Sequence, residues 1–262
     1  MLTIHKNKGV ALVALVTLAL NSTAMADGPL TTVSVDPPSG SQALALYFAR
    51  AANGDPWSEP NSVSMEIDAS LPELAKRGHL RAIRAWTGHR TPDYQAIHIE
   101  GDAMVKQQII ARYLDAEKRA VEIPASSVAI ATSNYKFRYI ATSGGTPVHA
   151  FQITPRKKRS GLIKGELWID GATGIAVHEA GFLVKRPSIF IRRLKITRDV
   201  SLRDGTPYLR TTHLDIDTLL VGRAEMTIVE RICTDPPSAH SPSNVVRRQG
   251  GTNDACTCAI AQ

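Results

Sequence analysis

The sequence predicts an α+β fold in which helices lie on one face of a large antiparallel sheet. Two observations carry this. From Asn134 to Ile232 apolar and polar residues alternate strand after strand with glycine turns between them, the period-two pattern of half-buried strands. Ahead of that run the pattern reads helix, three strands, helix, and a sheet with one apolar face is the surface on which such helices pack.

Pro37-Pro38 lead into the first helix, over 41–53, where Leu44, Tyr47, Phe48 and Ala51 share a face and Gly54 stands at the C-terminal cap position. Val63, Met65, Ile67 and Ala69 then alternate with Ser64, Glu66 and Asp68 as a first strand. The pattern repeats over 79–87 with Leu80, Ala82 and Trp86, and a third strand covers 94–100. Asp102 caps a second helix that has Val105, Ile109, Tyr113 and Leu114 at helical spacing, and Pro124 ends the segment after it. In the long run, Tyr135, Phe137 and Tyr139 oppose Lys136 and Arg138, and Gly144-Gly145 turn the chain. His149, Phe151 and Ile153 line the returning strand, and Ile163, Gly165, Leu167 and Ile169 the next, closed by Asp170-Gly171 and Gly174. Further strands are predicted over 175–184, 189–200, 208–220 and 224–232, with an Asp-Gly turn at Asp204-Gly205. This gives about seven strands joined by short loops.

The two ends have a different character. His5, Lys6 and Lys8 form a basic n-region, Val10 to Leu20 an apolar core and Ala24-Met25-Ala26 a small-residue cleavage site, the pattern of a secretory signal over residues 1–26. The expected product starts at Asp27, is soluble in the periplasm, and carries no lipid-accepting cysteine after the cleavage site. Losing Lys6 and Lys8 takes the net charge from +7 to +5, still basic, which suits acidic partners or anionic headgroups as well as a solvated surface. Residues 27–235 are read as one domain, since 43% hydrophobic content allows a substantial core. Residues 236–262, rich in Pro, Ser and Gly, form a tail too poor in apolar groups to fold alone. Of the three cysteines, Cys233 ends the last strand while Cys256 and Cys258 lie in the tail. In an oxidising compartment a disulfide from Cys233 to Cys256 or Cys258 would tether the tail. The alternative, a zinc site of these cysteines with His240, matches no known ligand spacing.

Catalytic candidates are weak. His213, Asp215 and Asp217 are two apart on one strand and point the same way, but Leu214 and Ile216 take the other face, so the polar three read as a solvated face. His178 and Glu179 are adjacent on a strand and face apart. No serine elbow, phosphate loop, zinc-protease motif or paired-cysteine redox motif occurs. The expectation is a protein that is not an enzyme, with no cofactor, no metal and no nucleic-acid partner. Two surface features remain. The residues Tyr135, Phe137, Tyr139, Phe151, Leu167 and Ile169 form an apolar face that lines either a lipid-sized cavity or an ordinary core. Arg156, Lys157, Lys158 and Arg159 fall between two strands as a candidate docking loop for a membrane or a partner, with Lys164, Lys185, Arg186, Arg192, Arg193 and Lys195 adding positive charge.

The segments NYKFRY from Asn134, ITPRKKRSGLIKGELWID from Ile153 to Asp170, and GDAMVKQQIIARYLDAE from Gly101 resemble exported bacterial proteins related to the outer-membrane lipoprotein-sorting family. The likeness covers Ser41 to Ile232. It implies a sheet curved into an open half-barrel with helices covering its concave face, and a carrier for lipoprotein acyl chains or another lipid. Related half-barrels also serve as periplasmic sensors, so an alternative is a protein-interaction module of an envelope-sensing or assembly system. Burial of each methylene contributes about 0.8 kcal/mol, enough for a carrier to hold one acyl chain reversibly.

Overall fold

The computed structural model describes residues 39–54, 57, 62–86, 91–142, 147–186, 191–219 and 222–233. The expected signal, the tail with Cys256 and Cys258, and His240 lie outside these residues.

The chain enters through α1 (Gly40–Ala51), nucleated by a capping box in which the Ser39 hydroxyl accepts from the Gln42 N–H and the Gln42 side chain accepts from the Ser39 N–H. The helix ends at Ala52, and Gly54 follows with φ +105. Three strands come next: β1 (Val63–Leu71), β2 (Lys76–Trp86) and β3 (Pro92–Gly101). The predicted second helix forms as one unbroken helical run with a π turn inside it: α2 (Ala103–Val105), a π-helical segment (Lys106–Ile110) and α3 (Ala111–Ala120). Its start is as expected, because Asp102 accepts hydrogen bonds from the N–H groups of Met104 and Val105 at 2.8 and 3.4 Å. Pro124 ends the turn that follows α3 and leads into a short helix, α4 (Ala125–Val128). A meander of seven strands completes the fold. Its first four are β4 (Tyr135–Thr142), β5 (Val148–Pro155), β6 (Ile163–Asp170) and β7 (Ala176–Leu183). The rest are β8 (Ile191–Arg203), β9 (Thr206–Thr218) and β10 (Arg223–Ile232). Asp204 and Gly205, both at positive φ, make the tight β8–β9 turn that an Asp-Gly pair favours.

All ten strands form one antiparallel sheet in the order β3-β2-β1-β10-β9-β8-β7-β6-β5-β4. The early strands join the meander through β1, which pairs with β10 in register Ile67↔Ile228. The sheet does not close into a barrel, and among the described residues β3 and β4 are its open edges. Bulges in the pairings of both edge strands, with Ala96 at positive φ on β3, disturb their ladders, a common way to discourage edge-to-edge association.

Following the register across the sheet puts the apolar positions of every strand on one face, here called inner. Ile67 stands opposite Leu80 on one side and Ile228 on the other, and Leu167 stands between Phe151 and Glu179. Two packed clusters result. Under α2 and the π segment, Met65, Ile67, Leu71, Leu80, Met226 and Ile228 enclose Val105, Ile109 and Ile110. Under α1, Ala43 meets Tyr135, Phe151, Ile153, Leu167 and Ile169. Beside the second cluster, Gly165 and Gly181 face each other across β6 and β7, and a Cβ on Gly165 would collide with the Ala180 carbonyl. Only glycine permits so close a backbone approach.

Candidate functional site

Among the described residues the helices pack near the two ends of the inner face, and the strip between them is half-buried at the margins of both clusters. α1 packs on β6, and α2 with the π segment packs on β1, β2 and β3. Between them lie β7, β8 and β9, whose inward residues Leu183, Leu194, Ile196, Leu214 and Ile216 are half-buried. Gly181, the cross-strand partner of Ile196, is buried against the backbone of Lys164 and Gly165.

One half of this strip is apolar and the other is charged. One pitch beyond Ile196, Arg198 donates to Glu179 at 2.6 Å. Beyond Leu214, Arg210 donates to both carboxylate oxygens of Glu230, from Nε at 2.5 Å and from Nη2 at 2.8 Å. Arg84 Nη2 stands 2.6 Å from Glu230 Oε1, and Arg84 Nη1 pairs with Glu117 of α3. Tyr94 donates to the other oxygen of Glu117 at 2.5 Å. The guanidiniums of Arg210 and Arg84 lie over the rings of Trp57 and Trp86, at 4.7 and 5.0 Å from the centroids. Two arginines and two glutamates thus share a site in which Arg84 is 1% and Glu230 2% exposed.

The electrostatics follow from burial and partners. Burial alone would push the Glu230 pKa up, but Arg210 and Arg84 outweigh it and hold the carboxyl below the ordinary glutamate range. Burial, reinforced by the negative charge of Glu117, pushes the Tyr94 and Tyr113 phenols well above their usual range. Both phenols are held neutral, and Tyr94 is the donor to Glu117. The signal for this network was present in the chain, since Arg84 falls in the inward alternation Leu80, Ala82, Arg84 and Glu230 in the inward alternation Met226, Ile228, Glu230. A charge at an inward strand position requires a buried partner.

The apolar residues expected to line a ligand face share the inner face but sit at its α1-covered end. Tyr135, Phe151, Leu167 and Ile169 are buried in the cluster beneath Ala43, and the Tyr135 hydroxyl accepts from the Ile163 N–H at 3.1 Å. Phe137 meets Phe48 of α1 edge-on at 5.3 Å. Tyr139 remains 47% exposed, its ring against Gly40. In the β5–β6 loop all four basic residues are exposed, yet two have internal duties. Arg156 Nε donates to the carbonyls of Thr132 and Tyr135 at 2.8 and 3.1 Å, and Arg159 to Asn134 Oδ1 at 3.4 Å. Cys233 is buried and disulfide-bonded.

The outer face is polar. His213 and Asp217 are exposed there while Leu214 and Ile216 turn inward. His178 pairs with Asp199 at 2.6 Å on the outer face, and Glu179 with Arg198 on the inner. Two shallow cavities open on this face. One of about 370 Å³ is bordered by Asp68, Arg77, His79 and Glu100, and one of about 250 Å³ by Phe182, Arg193, Lys195 and Asp215. Among the described residues no group of three or more His, Cys, Asp or Glu is placed to hold a metal ion, and no helix is long and apolar enough to cross a membrane.

No protein-family model matches the chain, and no curated protein does. Among solved structures it is similar to the crystal structure of MucB, with a TM-score of 0.26 and 14% identity over 72% of this chain and 92% of that one. The crystal structure of MucB in complex with MucA(peri) gives a TM-score of 0.23 and 11% identity over 72% of this chain and 93% of that one. Likenesses of that size carry no argument about function.

Proposed function

We propose that this chain is a non-catalytic binding module of an exported, envelope-sensing or assembly system, and that the half-buried middle of its inner face holds a segment of a partner polypeptide. The observation behind the proposal is the mixed lining of that strip. Half-buried Ile196 and Leu214 face each other across β8 and β9, with the Arg198–Glu179 pair one inward position beyond Ile196 and the Arg210–Glu230 pair two beyond Leu214. An acyl chain laid along the whole strip would bury those charges under hydrocarbon and return no hydrogen bond, which is costly. A polypeptide supplies both apolar anchors and backbone groups that satisfy charged neighbours. The end of the face that is continuously apolar is already filled by α1.

The test is site-specific photocrosslinking in the producing cell, with the reactive residue at Ile196 on the inner face or at Thr197 on the outer face. A polypeptide adduct at Ile196 and none at Thr197 is the expected result. Parallel organic extraction of the purified protein addresses the lipid carrier. Stoichiometric lipid in the extract, together with an acyl probe that Ile196→Glu abolishes, would replace this reading with the carrier.

A further inference from the structure

The register gathers the basic residues of three separate connections at one end of the sheet. Tyr135 is paired with Pro155 and Ile163 with Leu183, so the start of β4, the β5–β6 loop and the end of β7 are neighbours. The loop contributes Arg156, Lys157, Lys158 and Arg159, with Lys136 and Lys164 on the strands beside it. β7 runs out into Lys185 and Arg186, and β8 begins with Arg192 and Arg193 at the same end. Every one of these side chains is exposed. No acidic residue occurs in 134–138, 153–165 or 181–195, and none of these basic groups is in an ion pair among the described residues. The field ends at β9, where Asp215 and Asp217 stand across from Lys195 and Arg193.

We propose that this basic end docks the chain onto an anionic lipid bilayer. The inference concerns a different surface from the inner-face strip and does not rest on the function proposed for it. Charge complementarity selects the partner. From β4 to β8 the positive groups spread over four strand spacings, roughly 20 Å, too wide for one small anion. The lysines among them are hydrated point charges on flexible stems, without the paired fork geometry that recognises a fixed carboxylate or phosphate. A broad field of mobile cations matches a fluid surface of mobile anionic headgroups. The internal hydrogen bonds of Arg156 and Arg159 fix the loop to the α4–β4 turn, which leaves Lys157 and Lys158 projecting from a held base.

The test is co-sedimentation of the exported chain with vesicles of phosphatidylcholine alone or with phosphatidylglycerol added. Binding is expected only to the mixed vesicles, and it should fall as salt shortens the screening length below ~10 Å. Replacing Lys157, Lys158, Lys185 and Arg186 with glutamine spares the two arginines that hold the loop. Each surface cation is worth about fivefold in partitioning, so the quadruple variant should bind ~100-fold more weakly, allowing for charges that do not reach the surface. A control variant, Arg203→Gln with Arg231→Gln, removes charge from the opposite end and should bind as the unaltered chain does. Equal weakening per charge in both variants would reduce the effect to net charge and overturn the proposal. Failure of the unaltered chain to bind mixed vesicles, with retention on a soluble polyanion such as heparin, would overturn it in favour of a non-lipid partner.

Discussion

Glu230→Ala would remove the carboxylate that two arginines share. Arg84 is 1% exposed and would keep only Glu117, while Arg210, less deeply buried, would retain access to water. Breaking a buried pair from one side costs about 3–5 kcal/mol, and the surviving Arg84–Glu117 contact places the expected loss near ~3 kcal/mol. For a domain of this size each kcal/mol lowers the melting temperature by about 2–4 °C, so the variant should melt roughly 6–12 °C lower. Urea unfolding followed by tryptophan fluorescence is a suitable assay, because Trp57 and Trp86 stack on the two arginines concerned. The pH dependence has a definite sign. The folded pKa of Glu230 lies below its ordinary value of 4.5. Its stabilisation is therefore complete above pH 4.5 and is lost as the pH falls from there through the folded pKa. Glu230→Gln should flatten that acid limb. A loss under about 1 kcal/mol, the range of an exposed pair, or an unchanged acid limb, would refute the view that the network is a buried, interdependent unit.

Gly165→Ala should destabilise the fold by more than about 2 kcal/mol, read from thermal melts, because the new methyl meets the Ala180 carbonyl and lies 2.5 Å from Gly181 Cα. Tyr94 and Tyr113, whose pKa values are raised by burial, should stay un-ionised in a spectrophotometric titration above pH ~10 until the protein unfolds, and stability should decline as the pH rises past that point. Ile153→Ala, at 0% exposure beneath α1, should cost about 2–5 kcal/mol in urea unfolding; a smaller loss would indicate that the α1-covered cluster is loosely packed or open.

Strand and helix content was readable from the chain because it is local. Alternation in 134–232 marks the seven strands of the meander, Asp102 marks a helix start, and Asp204-Gly205 marks a turn, each through the chemistry of neighbouring residues. The opposed faces of His178 and Glu179, and the outward His213 against inward Leu214, follow from the same period. The π turn at Lys106–Ile110 inside the second helix was not readable, since apolar spacing through Val105, Ile109 and Tyr113 suits a regular α-helix equally well. Nor was the pairing of β1 with β10, because no local signal states which distant strand completes a sheet. That pairing brings Glu230, already beside Arg210 of β9, within reach of Arg84 of β2 across the intervening β1, joining residues that stand far apart in the chain. Alternation also could not separate a filled apolar face from an open one. Tyr135 and Leu214 both read as inward; Tyr135 is buried in the cluster beneath α1, whereas Leu214 stays half-buried at the margin of the cluster beneath α2 and the π segment. What lies over a sheet depends on where the helices land, and that is a property of packing between distant segments rather than of any strand's own sequence.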